Sequence, residues 1–158
     1  MGARNEWDAD YHDPCWDPIL VDDELWIYYR SVNRQPDEGT PLVGHAIGLA
    51  TLRRDGFVSL NAGDTPGIIV TRPLTLPGHA LFVNAEVGDG GYVKAEVMKP
   101  DETPLDGFTL ADSRPLTENT TKGRLTWQTT DEVHIAPGQH LRLRFQLQNA
   151  KLYSLWLE

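Results

Sequence analysis

Apolar and polar residues alternate along the second half of the chain. From Leu141 to Gln148 every second residue is apolar, and residues 92–97 show the same period of two. Successive side chains of a strand point to opposite faces of a sheet, so this period predicts strands with one buried and one solvated face. Strand patterns recur at short spacing over residues 68–72, 81–87, 92–98, 123–128, 141–148 and 153–157.

Glycine and proline separate these patterns. The chain has 14 glycines and 11 prolines, and turn-forming sequences such as residues 88–91 and 137–138 join the predicted strands. No window shows an apolar stripe with the period of a helix. We therefore predict an all-β protein, in which residues 63–158 form an antiparallel, jelly-roll-like β-sandwich.

The first 62 residues predict a separate, smaller domain. A loop rich in aspartate and tryptophan, residues 1–18, shows no hydrophobic period. Four strands make one blade of a β-propeller, so we predict that residues 1–62 form a blade-like β-meander with an N-terminal loop. The four strand patterns cover residues 19–21, 25–29, 46–52 and 57–60.

The charge of the chain narrows the choice of partners. Its 23 acidic residues outnumber its 14 basic ones, which gives a formal net charge of −9. An acidic surface repels phosphate backbones and anionic membranes, so we expect neither nucleic acid nor a membrane as a partner. Neither a membrane helix nor an apolar signal segment is visible. We expect a soluble protein, or one exported as part of a longer precursor.

Aromatic and acidic side chains are densest between Trp7 and Asp17. Aromatic rings stack on the C–H faces of pyranoses, and carboxylates accept paired hydrogen bonds, so this combination is typical of a sugar site. A structural alternative is that Trp16 is a core residue and the aspartates cap turns. Asp13 and Asp17 both precede proline, which favours an extended backbone at each of them. The candidate ligand-binding residues are Trp7, Asp10, Asp13, Trp16, Asp17, Trp26, Tyr28 and Arg30.

No set of catalytic residues stands out, and we predict none. The five histidines are scattered, no serine lies in a nucleophile elbow, and no glycine-rich loop opens a helix. His12 with its neighbouring aspartates, and the turns at residues 89–91 and 112–113, have oxygen ligands that suit a hard cation. Calcium is therefore the one cofactor that the sequence leaves open, although no spacing matches an EF-hand loop. The single cysteine, Cys15, excludes an internal disulfide.

Residues 16–29 resemble a blade of the five-bladed propeller glycosidases. They read Trp-Asp-Pro-Ile-Leu-Val-Asp-Asp-Glu-Leu-Trp-Ile-Tyr-Tyr, and in that group a D-P-x-(apolar)-x-x-x-x-L-W-(apolar)-Y-Y stretch recurs from blade to blade. Residues 47–60 resemble the end of the propeller in fructosidase-like (family 32-like) hydrolases, where an I-G-L-A-x-x-R-x-D-G-F-V-S-L segment leads into a C-terminal β-sandwich. Similar to that sandwich are residues 70–74, 81–85, 108–116, 141–145 and 152–156.

The resemblance implies a carbohydrate-active system without a complete active site. Propeller glycosidases carry their carboxylates on several blades around a central funnel. Sugar cleavage needs two carboxyl groups about 5–5.5 Å apart for retention or about 6.5–9.5 Å apart for inversion. A single blade cannot form such a funnel, and so it cannot supply the carboxylates that lie on the other blades. We therefore predict a carbohydrate-binding or accessory sandwich module related to glycoside hydrolases, with an oligo- or polysaccharide as its partner.

Two alternatives stay open. In the first, the chain is a structural fragment of a propeller glycosidase that forms a homodimer through the blade edge, because exposed edge strands invite pairing. In the second, it is a small glycoside hydrolase, for which Asp13 and Asp17 are the carboxylates to test.

Overall fold

The polypeptide forms β-strands and no helix over the part that the structure describes. This computed structural model describes residues 6–8, 11–14, 17–32, 46–75, 77–134 and 138–158. The strands lie in two antiparallel sheets, so the predicted all-β class is confirmed. None of the described residues forms a helix that could cross a membrane. The strands are β1 (Tyr11–Pro14), β2 (Ile19–Val21), β3 (Glu24–Val32), β4 (Ala46–Arg53), β5 (Leu60–Ala62), β6 (Gly67–Val70), β7 (Leu81–Met98), β8 (Thr120–Leu125) and β9 (Arg142–Leu157).

The first of two compact units, Met1–Phe57, contains a small sheet built around β3. The strands β1 and β2 pair one after the other with one edge of β3, and β4 pairs with its other edge. Asp22 turns the chain between β2 and β3 with a positive φ of 52°, a conformation that aspartate tolerates better than most residues.

The fourth strand predicted for the first domain is wrong. After β4 the chain turns at residues 54–57, and the next strand, β5, pairs with β9 of the second unit instead. Ala62 of β5 packs against the core of that unit, so this pairing buries apolar surface. The first unit ends at Phe57, a few residues before the end of the first predicted domain.

The second unit, Val58–Glu158, is built on a long antiparallel ribbon of β7 and β9. The strands β5 and β6 pair with the other edge of β9, and β8 pairs with the other edge of β7. The turn predicted at residues 88–91 is a bulge within β7, because these residues face only Asn149 on the partner strand. A side chain at Gly91 would lie 2.5 Å from the carbonyl oxygen of Asn149, so the bulge requires glycine there.

One face of this ribbon forms the core. Leu141, Leu143, Phe145 and Leu147 are at most 2% exposed, which confirms the face predicted from the period of two. The polar residues between them remain partly exposed on the other face. Packed on the core face are Leu81, Val83, Ala85, Val93, Ala95, Val97, Leu116, Leu125, Trp127, Val133, Ala150 and Leu152.

Candidate functional site

Three predicted ligand-binding residues lie side by side on one face of β3. Strand alternation places Trp26, Tyr28 and Arg30 on this face, which we call the β3 aromatic face. Directly opposed residues of paired strands share a face, so β2 and β4 extend this surface. Tyr28 is 39% exposed, and several apolar neighbours on the face are also exposed. These apolar cross-strand neighbours are Ile19, Ile47 and Leu49, and the hydroxyl residue Thr51 lies opposite Trp26.

A charged pair marks one end of the β3 aromatic face. The guanidinium of Arg30 donates a hydrogen bond from Nη2 to Oδ2 of Asp13 at 3.0 Å, and both side chains are about half exposed. An exposed ion pair adds little stability. The ion pair does hold the Arg30 guanidinium in place. The guanidinium has further N–H groups that can donate hydrogen bonds to the oxygen atoms of a ligand.

Trp26 offers its ring rather than its N–H group. The indole nitrogen is buried, and among the residues that the structure describes it has no hydrogen-bond partner. The ring itself is partly exposed on the same face as Tyr28. Trp26 can therefore contribute a stacking surface to a ligand.

Trp7 lies on the opposite face of the same sheet. Its ring stacks on Tyr29 with centroids 5.9 Å apart and planes 17° apart. The Tyr29 hydroxyl donates to Oδ2 of Asp8 at 3.5 Å, and the His12 ring lies 5.5 Å from the Tyr29 ring. Burial and the negative charge of Asp8 raise the pKa of Tyr29 above its ordinary value of 10.0. Trp7 therefore packs the back of the sheet and does not join the β3 aromatic face.

Three predicted ligand-binding residues remain, Asp10, Trp16 and Asp17. Asp17 is exposed in a bend just before β2. Asp10 and Trp16 lie outside the described residues. Of the eight candidates, the structure therefore brings together Asp13, Trp26, Tyr28 and Arg30.

The stacked rings of Trp7 and Tyr29 depend on a glycine in β4. A Cβ atom at Gly48 would lie 2.5 Å from Tyr29 Cζ and 2.6 Å from Trp7 Cη2. We expect Gly48→Ala to push the rings apart, to cost about 1–3 kcal/mol of stability and to change the near-UV circular dichroism of the stacked pair. Gly63→Ala, where a Cβ meets no atom within 4 Å, is the matched control. An unchanged near-UV spectrum of the Gly48 variant would contradict the stacking.

A second aromatic cluster, on the outer face of the β7–β9 ribbon, was missed by sequence reasoning. Trp156 stands among aliphatic residues in an alternating strand, a pattern that favours a core position. Its neighbours Leu155 and Leu157 pack against the core instead, so Trp156 points to the other face. Its ring stacks on Phe82, directly opposite on β7, with centroids 5.8 Å apart. The alternation around Trp156 was the signal that could have identified this orientation.

Polar side chains surround this cluster. Trp156 donates its indole N–H to Glu158 at 3.0 Å, and the Lys122 ammonium contacts both Glu158 oxygens at 2.9 and 2.8 Å. These hydrogen bonds hold the pKa of Glu158 below its ordinary value of 4.5. Further along the same face, Lys151 and the Tyr153 hydroxyl both donate to Glu86, and the Glu86 carboxylate raises the pKa of Lys151.

The lowered pKa of Glu158 predicts a pH-dependent contribution to stability. Because the folded-state pKa lies below the unfolded value, the contribution is present above pH 4.5 and is lost as the pH falls through the folded value. We expect Glu158→Gln to lower the unfolding temperature near neutral pH and to match the unmodified chain at about pH 2. Glu118→Gln, at an exposed position, is the control and should leave the unfolding temperature near neutral pH unchanged. A Glu158→Gln deficit that stays constant with pH would contradict the assignment.

The described residues contain no group of three or more histidine, cysteine, aspartate or glutamate side chains that could hold a metal ion. Asp112, at one of the turns considered for calcium, accepts hydrogen bonds from the backbone N–H and the hydroxyl of Thr109 at 3.2 and 2.7 Å. These bonds give Asp112 a turn-stabilising role.

Comparison with known proteins adds no relative. No protein-family model, curated protein or solved structure matches the chain.

Proposed function

We propose that this chain is a carbohydrate-binding or accessory module, related to propeller glycosidases, that binds an oligo- or polysaccharide on the β3 aromatic face. The carrying observation is the placement of two aromatic rings, Trp26 and Tyr28, beside the half-exposed Arg30–Asp13 pair. Residues 16–29 resemble a blade of the propeller glycosidases, and residues 47–60 resemble the end of a fructosidase-like propeller. These resemblances support the same class of ligand. The module has no complete catalytic site of its own in this proposal.

The size and chemistry of the face suit a short stretch of sugar chain. Residues in a strand advance by about 3.3 Å, so Trp26 to Arg30 covers about 13 Å. Aromatic rings offer stacking surfaces for the C–H faces of sugars, and the charged pair offers donors and acceptors for hydroxyl groups. Specificity in such sites comes from a few polar groups placed among apolar ones.

Charge favours a neutral ligand. The chain carries a formal net charge of −9, which repels acidic polysaccharides at a distance. The positive charge of Arg30 is already balanced by Asp13. A neutral glycan can exchange hydrogen bonds with this pair without leaving a charge unbalanced.

Affinity electrophoresis through gels that contain inulin, arabinan, xylan or hydroxyethylcellulose tests the proposal. We expect at least one polysaccharide to retard the chain, and Tyr28→Ala to weaken that retardation by about tenfold or more in Kd, because exposed aromatic anchors dominate binding energy. Phe57→Ala removes another exposed aromatic ring, outside the face, and should leave retardation unchanged. Equal retardation of the Tyr28 variant and the unmodified chain would contradict the proposed site.

A second candidate function, homodimerisation, is favoured by the outer edge of β4. This strand pairs with β3 on one side, and no described strand pairs with its other side. Ile47 on β4 is 74% exposed and Leu49 is 41% exposed. The strand has no proline, and its only charged residue is the terminal Arg53, so it lacks the usual features that prevent edge pairing.

Light scattering over a range of concentrations tests this second candidate. A dimer should have twice the monomer mass of 17.7 kDa, and Ile47→Lys should return it to the monomer because a charge on an edge strand opposes pairing. Thr103→Lys, far from β4 in the sequence and exposed, is the control for the added charge. A monomer at every concentration would contradict dimerisation.

A further inference from the structure

The outer face of the second unit carries an aromatic surface separate from the β3 aromatic face. It consists of Phe82 on β7, Lys122 on β8, Trp156 on β9 and the following Glu158, and we call it the Trp156 platform. The Phe82 and Trp156 rings are 18° from parallel, and the Lys122 ammonium lies 4.9 Å from the centre of the Phe82 ring. A cation at this distance from an aromatic ring is attracted to it.

The platform is held in place before any ligand binds. Trp156 is fixed on one side by Phe82 and at its N–H by Glu158, and Glu158 is fixed in turn by Lys122. Because the indole N–H is already satisfied, the ring offers an apolar surface with polar groups at its rim. A surface that needs no rearrangement loses less entropy when it binds.

The platform is also accessible. The side chains of Lys122 and Glu158 are 55% and 51% exposed. On the edge of β9 away from β7, β5 pairs only as far as Leu152, and no described strand continues beyond it. Trp156 is itself partly exposed, so a ligand can approach its ring.

We propose that the Trp156 platform is a second carbohydrate contact, in which a neutral sugar ring stacks on Trp156. Hydroxyl groups of the sugar accept from the Lys122 ammonium and donate to the Glu158 carboxylate. These two charges neutralise each other, so the platform favours an uncharged ligand over an acidic or basic one. This inference extends the proposed function, which concerns the first unit, to a separate site on the second unit.

Nitrogen-15 NMR of the full chain tests the two sites separately. The five tryptophan indole N–H signals are assigned by single Trp→Phe variants, and the chain is titrated with xylohexaose, cellohexaose, arabinohexaose and inulin oligosaccharides. We expect the Trp156 indole signal to shift saturably with at least one sugar, and to do so in the Tyr28→Ala variant as well.

The outcomes distinguish failure of each proposal. A Trp26 signal that shifts while the Trp156 signal stays fixed would overturn the Trp156 platform and leave the β3 aromatic face in place. A shift at Trp156 alone supports the platform and contradicts the face. Fixed signals at both residues with every sugar would overturn both.

Variants of the platform give a second readout. Trp156→Ala should weaken binding at this site by about tenfold or more, whereas Trp156→Phe keeps a ring opposite Phe82 and should retain most of it. Tyr92→Ala, on the same face of β7 further along, is the matched control. Glu158→Ala removes a polar contact and one support of the indole but keeps both rings in the chain, so it should weaken binding to a smaller degree. Unmodified affinity in the Trp156→Ala chain would overturn the platform.

Discussion

Replacing Trp127 by alanine should lower the free energy of unfolding of the second unit by about 3–5 kcal/mol. Trp127 is fully buried, and its ring meets the Phe108 ring edge-on with centroids 5.1 Å apart. Its indole N–H donates to the carbonyl oxygen of Ala95 at 3.0 Å. Truncation therefore leaves a cavity and removes the hydrogen-bond partner of a buried carbonyl. Urea unfolding followed by far-UV circular dichroism measures the loss.

Trp127→Phe separates the two contributions to this loss. Phenylalanine keeps most of the ring packing but has no N–H to donate to Ala95. We expect it to cost about 1–3 kcal/mol, the penalty of an unsatisfied buried polar group, plus a smaller cavity term. If Trp127→Ala cost less than Trp127→Phe, the packing of this residue against Phe108 would be misassigned.

Replacing Glu96 by alanine should lower the stability of the second unit by about 3 kcal/mol or more. Glu96 is 5% exposed, and its carboxylate accepts from Nη1 of Arg144 at 2.5 Å and from the backbone N–H of Leu110 at 3.2 Å. Without the carboxylate, the Arg144 charge loses its partner where its side chain is only 27% exposed. The loss is measured by the same urea unfolding.

Glu86→Ala is the matched control for Glu96→Ala. Both glutamates lie on β7 and pair across the ribbon with a basic residue of β9. The Glu86–Lys151 pair is 42% and 43% exposed, so water screens it and its loss should cost no more than about 1 kcal/mol. Equal losses of stability in Glu96→Ala and Glu86→Ala would contradict the argument that burial determines how much an ion pair contributes to stability.

The strand faces could be predicted from the sequence, but the way the chain connects them could not. The period of two in residues 141–148 identified the buried face of β9, because strand geometry fixes which residues share a face. The glycines at 88–91 predicted a turn by their local preference. They form a bulge because β9 offers β7 a partner on both sides of them, and that partner lies far away in the sequence.

For the candidate site as well, the sequence predicted which residues share a face but not which distant residues they contact. Trp26, Tyr28 and Arg30 share a face by alternation alone, and the structure places them so. Trp7 lies on the opposite face because the space above Gly48, on another strand, receives its ring. Trp156 has a stacking partner, Phe82, more than seventy positions earlier in the sequence, so the local alternation indicates which face Trp156 occupies but not its stacking partner.

Isothermal calorimetry of the intact chain against inulin, arabinan, xylan and hydroxyethylcellulose tests the central claim that this protein binds a neutral polysaccharide and does not cleave it. We predict, for at least one of them, heats of injection that saturate and return to the baseline after each injection. Flat heats with all four polysaccharides, or a sustained heat output from continuing hydrolysis, would contradict the account.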